Sequence, residues 1–242
     1  MLEVKELYYQ IKQDDHGFGL QNINFKLERG YIMGLLGFNG AGKSTLMHLL
    51  MGMSAPDRGS VKFDGVDVWA DTGRTRQKIA CISERTEFLK YRTLEENAML
   101  FGILYDLYDQ ERWEHYMDTF GLDREKRGLL YDDLSTGEKR KFQLAFALSY
   151  RPELLLLDEP TANLDPHARV EWMELLQNQV ADEEISVIMA TYLTADLDQV
   201  ADYILVLDQG KQLEFMDREE LMEHYGEQEL SGLLLRMDED KN

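Results

Sequence analysis

With 242 residues, a formal net charge of −20 and a single cysteine, the chain is long enough to bury a core without covalent staples, as one large domain or one domain with an inserted lobe. The charge opposes direct binding to nucleic acid and to anionic lipid, which carry the same sign. Cys81 alone makes neither an internal disulfide nor a cysteine zinc site, and no stretch approaches the ~18 apolar residues of a membrane-spanning helix, so a soluble, intracellular chain without direct membrane insertion is expected.

From the N-terminus, Leu2–Lys12, Gln21–Leu27 and Ser60–Phe63 read as antiparallel strands. Runs apolar on both faces predict buried strands at Tyr31–Leu36, Lys78–Ser83, Leu154–Leu157, Ile185–Ala190 and Tyr203–Leu207. Helical spacing follows Gly42 and returns over about 93–120, 136–150, 166–182 and 217–226. The block at about 85–150 is nearly all helical in pattern between two strand-rich blocks. The expected fold class is therefore α/β, with a mixed sheet, an N-terminal antiparallel β subdomain and an inserted helical lobe, all in one domain over 1–242. The helix at about 217–226 closes it, and the final DEDKN reads as a solvated tail.

Residues 37–45 read GFNGAGKST. Gly37 and Gly42 bound a G-x-x-x-x-G-K-[ST] pattern completed by Lys43 and Ser44. An apolar strand leads in and an apolar helix, Leu46–Met51, leads out. Glycines let the backbone N–H groups of Phe38, Asn39, Gly40 and Ala41 turn towards an anion without Cβ clashes, and the helix start adds positive potential. Lys43 supplies a mobile charge for the β- and γ-phosphates, Ser44 a hydroxyl for Mg²⁺, and Thr45 further phosphate contacts. A P-loop NTPase core follows; on this pattern alone a kinase or a GTPase fits as well.

Residues 154–160 read LLLLDEP. Four apolar residues put Asp158 at the C-terminal edge of a buried strand, where open α/β sheets bind ligands. Asp158 then faces the Mg²⁺ shell, while Glu159, alternating away, polarises the water that attacks the γ-phosphate.

With both pieces in view, the chain resembles the ATP-binding subunit of an ABC transporter over essentially its whole length. LSTGEKRK at 134–141 looks like the family signature and begins its Ser135 23 residues before Asp158. ANLDP at 162–166 resembles the family's D-loop, with Asp165 its aspartate, and Pro56-Asp57-Arg58-Gly59 its turn after the P-loop helix. The resemblance implies ATP and Mg²⁺ as ligands and hydrolysis of ATP. It implies a head-to-tail dimer with a second ATPase subunit, of the same or another chain, in which Ser135 and Gly137 of one subunit face the γ-phosphate bound by the other. A serine hydroxyl, a glycine N–H and a helix start, expected near Glu138, suit an anion; Ser135 with Glu138 is equally a capping box, and both hold together. The resemblance further implies an integral membrane permease, met by residues near Glu84–Thr93, and a cytoplasmic location at the inner face of the membrane through that permease. The layout looks like that of exporters of drugs, peptides or antibiotics. A dimerisation module with little hydrolysis is the other reading.

Three positions depart from the family. Glu84 replaces a glutamine after the strand ending at Ser83; it still serves Mg²⁺ or a water, but adds negative charge. Ile11 stands where an aromatic often stacks on adenine, with Tyr8, Tyr9 and Phe18 nearby. Tyr192 stands at the switch histidine and offers only a neutral O–H, its pKa lying near 10. Slow hydrolysis with ATP-driven dimerisation kept is expected. Steady-state turnover of Tyr192→His should exceed that of the unmodified protein; no gain would remove the assignment of Tyr192 to the switch position.

Overall fold

The computed structural model describes residues 1–11, 18–83 and 86–239. Two compact units divide the chain, Met1–Arg76 with Ser186–Asn242, and Gln77–Ile185. The first begins with β1 (Leu2–Gln10), β2 (Gly19–Leu27), β3 (Ile32–Leu36), α1 (Lys43–Leu50), β4 (Arg58–Phe63), β5 (Val66–Asp67) and α2 (Thr72–Lys78), whose last two residues enter the second unit. The second unit carries β6 (Ile79–Ser83), α3 (Leu94–Gly102), α4 (Gln110–Thr119), α5 (Arg124–Arg127), a 3₁₀ turn at Tyr131–Asp133, α6 (Thr136–Ser149), β7 (Leu154–Asp158) and α7 (Pro166–Glu183). The chain then returns through β8 (Ser186–Ala190), α8 (Thr194–Val200), β9 (Tyr203–Asp208), β10 (Lys211–Asp217), α9 (Arg218–Tyr225) and α10 (Leu230–Glu239).

In the first unit the strands run in the order β5-β4-β1-β2-β10-β9-β3-β8. β1 is antiparallel to both β2 and β4, with Leu2 opposite Leu27 on one side and Phe63 on the other. β3 lies parallel to β8 and β9, and all five of its residues are buried, as a strand covered on both faces requires. Helix α8 packs on β3, and α10 packs on α8.

In the second unit β6 and β7 are parallel, with Ser83 opposite Asp158. Helix α6 packs against α4, α7 and β6. The core around it is aromatic: Phe88 meets Phe142, Phe101 and Phe146 edge-on at centroid distances of 4.7, 5.1 and 5.2 Å, and Trp113 meets Phe142 at 6.4 Å. Edge-to-face rings add to the burial of large apolar surface.

The expected mixed α/β fold is present, with several local corrections. The helix expected over 93–120 is two helices, α3 and α4. Gly102 ends α3 against the Tyr108 ring, where a Cβ would stand 2.6 Å from Cδ1, and Asp109 restarts the chain as N-cap of α4 by accepting from Glu111 and Arg112 N–H. β1 stops at Gln10, and Lys12 lies outside the described residues. Helix α6 begins at Thr136, as the helical spacing over 136–150 predicts and two residues before the start near Glu138 expected from the signature, because Ser135 supplies the cap. Beyond α9 the chain forms a further, unanticipated helix, α10, anchored by Leu230 and Leu233, both almost fully buried; its last two residues, Asp238 and Glu239, enter the stretch read as tail. Strand β10 and helices α2 and α8 lacked a strong enough apolar period to be anticipated. Among the described residues no helix is long and apolar enough to cross a membrane.

Phe142 has no exposed surface, whereas Leu235 is 69% exposed. Phe142→Ala should therefore lower unfolding free energy by about 3–5 kcal/mol, and Leu235→Ala by under about 0.5 kcal/mol, as read from urea denaturation.

Candidate functional site

Strand β3 delivers the chain into the 37–45 turn. A Cβ on Gly37 would stand 2.4 Å from the Leu207 carbonyl oxygen of β9, so only glycine lets the turn pass that backbone. Gly42, the N-cap of α1, has φ +109°, and a Cβ there would lie 2.7 Å from Leu20 Cδ2 and 3.3 Å from the Phe18 ring. The loop is fixed by Ala41 N–H donating to the Phe38 carbonyl and Gly210 N–H donating to that of Ala41, at 3.1 and 2.9 Å. Lys43 is buried and its Nζ donates to the carbonyls of Gly37 (2.7 Å) and Phe38 (3.2 Å), which centres its charge inside the turn. Asn39, Gly40 and Ser44 are exposed, and Thr45 is half-buried. A helix start, a buried lysine and the exposed Ser44 hydroxyl thus stand together at the end of β3, a combination that suits an anion.

Asp158 ends β7, half-buried, and Glu159 follows with φ +51°, a left-handed conformation that turns the chain away from the strand. Strain of this kind at a non-glycine residue concentrates at functional positions. Asp165 accepts from His167 and Ala168 N–H at 3.0 and 3.1 Å and caps α7, with Pro166 at its first turn. On β6, burial, with the Asp158 charge adding, pushes the Cys81 thiol up to about 12.

Ser135 caps α6 as half of a capping box. Its Oγ accepts from Glu138 N–H at 3.2 Å, and the Glu138 carboxylate accepts from the Ser135 N–H and O–H at 3.0 and 2.8 Å. Lys126 Nζ pairs with the other carboxylate oxygen at 2.8 Å. These contacts, Lys126 first, hold the Glu138 carboxyl down at about 2, so it stays ionised throughout the neutral range. Gly137, on the first turn, lies 3.5 Å (by a Cβ placed on it) from Ala168 of α7.

Tyr192 lies between β8 and α8 and is 55% exposed; its carbonyl accepts from Thr194 N–H at 3.1 Å. Glu84 lies outside the described residues. Of the aromatics near Ile11, Tyr8 is engaged beneath Arg58, whose guanidinium carbon stands 5.4 Å from its ring centre, whereas Phe18 is the one brought against the P-loop at Gly42. Two features escaped sequence reasoning. Lys126 reaches Glu138 across a gap in sequence with no periodic signal. Met99, Leu100, Ile103, Leu104 and Leu107 are all exposed along and just after α3, where an amphipathic pattern alone would have buried them.

Residues 20–162 match the family model described as ABC transporter. The chain belongs to the ABC transporter family. It is 28% identical over 225 residues to ABC transporter ATP-binding protein YtrB of Bacillus subtilis (strain 168), covering 93% of this chain and 75% of that protein. To linearmycin resistance ATP-binding protein LnrL of the same organism it is 30% identical over 210 residues, covering 86% and 67%. A solved structure of the ATP-binding subunit of an ABC transporter matches with a TM-score of 0.87 at 26% identity, over 98% of this chain and 99% of the other. This ABC protein is thus an ATP-binding subunit of the family's P-loop ATPase type.

Removing the Lys43 ammonium should weaken ATP binding about 10–100-fold, the worth of a charge-assisted hydrogen bond. Lys43→Met, followed by fluorescent-nucleotide titration with circular dichroism as the folding control, measures it.

Proposed function

We propose that the chain is the ATPase subunit of an exporter of drugs, peptides or antibiotics, working as a head-to-tail dimer bound to a membrane permease at the inner face of the cell membrane. The domain organisation proposed is one ATPase domain over 1–242, with the helical subdomain at about 85–150. The observation that carries the reading is the start of α6: a serine cap and a glycine stand on the first turn of a helix in the signature position, and a helix start favours an anion. Export is supported by the likeness to a linearmycin resistance protein. Permease contact is supported by exposed apolar side chains of the helical subdomain, Tyr91 at 83% and Ile103 at 81% among them.

In this reading the N–H groups from Gly37 to Thr45 and the Lys43 ammonium hold the β- and γ-phosphates, and Phe18 takes the adenine. Ser135 and Gly137 of the partner close over the γ-phosphate, and Asp165 holds the start of α7 near that interface. Glu159 accepts a proton from the attacking water and Tyr192 orients towards the γ-phosphate as a neutral donor. The donor set suits Mg²⁺, which takes one or two carboxylates together with substrate phosphates and water rather than an all-protein cage. Ser44, Asp158 and Glu84 are the residues that would hold it, and the ion would supply the positive charge that lets these acids stand beside ATP phosphates.

Glu159→Gln keeps the shape and removes the base. Turnover should fall about 10²–10⁴-fold, while ATP now holds a stable dimer detectable by light scattering. Undiminished turnover would exclude Glu159 as the base and with it this mechanism.

A further inference from the structure

Glutamate at 138 poses a problem for an anion site. It sits in the first turn of α6, and its carboxylate reaches back to the Ser135 N–H at 3.0 Å and O–H at 2.8 Å. A neutral amide would cap the helix as well by accepting from the same N–H. The carboxylate does so with a full negative charge at the helix end where a phosphate is to be received, and it also engages the one hydroxyl proton Ser135 has to give.

That charge has a single cationic partner among the described ion pairs, Lys126, at 2.8 Å from the oxygen that Ser135 does not use. Lys126 is not loosely placed. It lies on α5, which Asp123 caps through Glu125 and Lys126 N–H, and the next residue, Arg127, is buried, paired with Glu114 and Asp118 at 3.2 and 2.6 Å and set over the Trp113 ring. The arginine thus fixes the short helix to α4 while the lysine is presented to α6.

We propose that Lys126 is a positioning residue for the signature site: by pairing with the Glu138 oxygen that Ser135 does not use, it offsets the carboxylate's charge at the helix start that faces the γ-phosphate of the partner's ATP. This rests on the reading of Ser135 and Gly137 as phosphate-facing. It requires that Lys126 matter only because residue 138 is charged.

The test is a double-mutant cycle in the full chain carrying Glu159→Gln, with ATP and Mg²⁺ titrated and dimer formation followed by sedimentation; a fluorescent ATP analogue measures nucleotide binding by the monomer. Lys126→Met should weaken dimerisation about tenfold, two exposed ion pairs being lost per dimer, with monomer nucleotide affinity unchanged. Lys126→Arg should stay within about twofold, since the charge is kept. In a Glu138→Gln background Lys126→Met should have no effect. An equal loss in both backgrounds, or no loss in either, overturns the proposal. Ser135→Ala separates the two levels. If it abolishes dimerisation while Lys126→Met does nothing, only the role of Lys126 falls. If it has no effect, the phosphate-facing reading falls and this proposal with it.

Discussion

A polyphosphate must be held by a protein whose own charge is −20, and the backbone solves that conflict before any side chain does. At the end of β3 the chain turns without a Cβ at Gly37 or Gly42, so that peptide N–H groups, which carry no net charge and need no counterion, surround the start of α1. The buried strands beside β3 hold that turn in place: β9 passes so close to Gly37 that a methyl group there would overlap a carbonyl oxygen. Lys43 then adds a single full charge inside the turn.

The second unit carries a helix start of its own with a different balance of charge. The start of α6 also presents helical N–H groups, but its flanking residues include an acid, and a lysine from a neighbouring short helix balances it. The aromatic packing of Phe88, Trp113 and Phe142 fixes α4 and α6 against each other, and α5 is tied to α4 through Arg127. Core packing, ion pair and helix cap therefore form one chain of contacts, from apolar burial to the Glu138 carboxylate at the helix start.

What could be read beforehand follows from the range of the forces involved. The P-loop, the Asp158-Glu159 pair and the cap at Ser135 are local patterns, set by a few consecutive residues, and their positions on β3–α1, β7 and α6 agree with the expectation. The break between α3 and α4 was also local, written in Gly102 and Asp109, but a continuous helical period masked it. The Lys126–Glu138 pair and the approach of Phe18 to Gly42 depend on tertiary placement and leave no mark in spacing. Strand β10, with half-buried residues on both faces, and helix α10, with its two buried leucines, follow weak patterns because each is covered on only part of its surface.

Cys81 is the chain's one thiol, and burial beside the Asp158 charge keeps it protonated. The thiolate is the reacting form, and burial lowers its population at neutral pH below that of a free thiol. Towards alkylating and maleimide reagents Cys81 should therefore react more slowly than a cysteine placed by design on an exposed surface, a contrast that favours labelling at the introduced position.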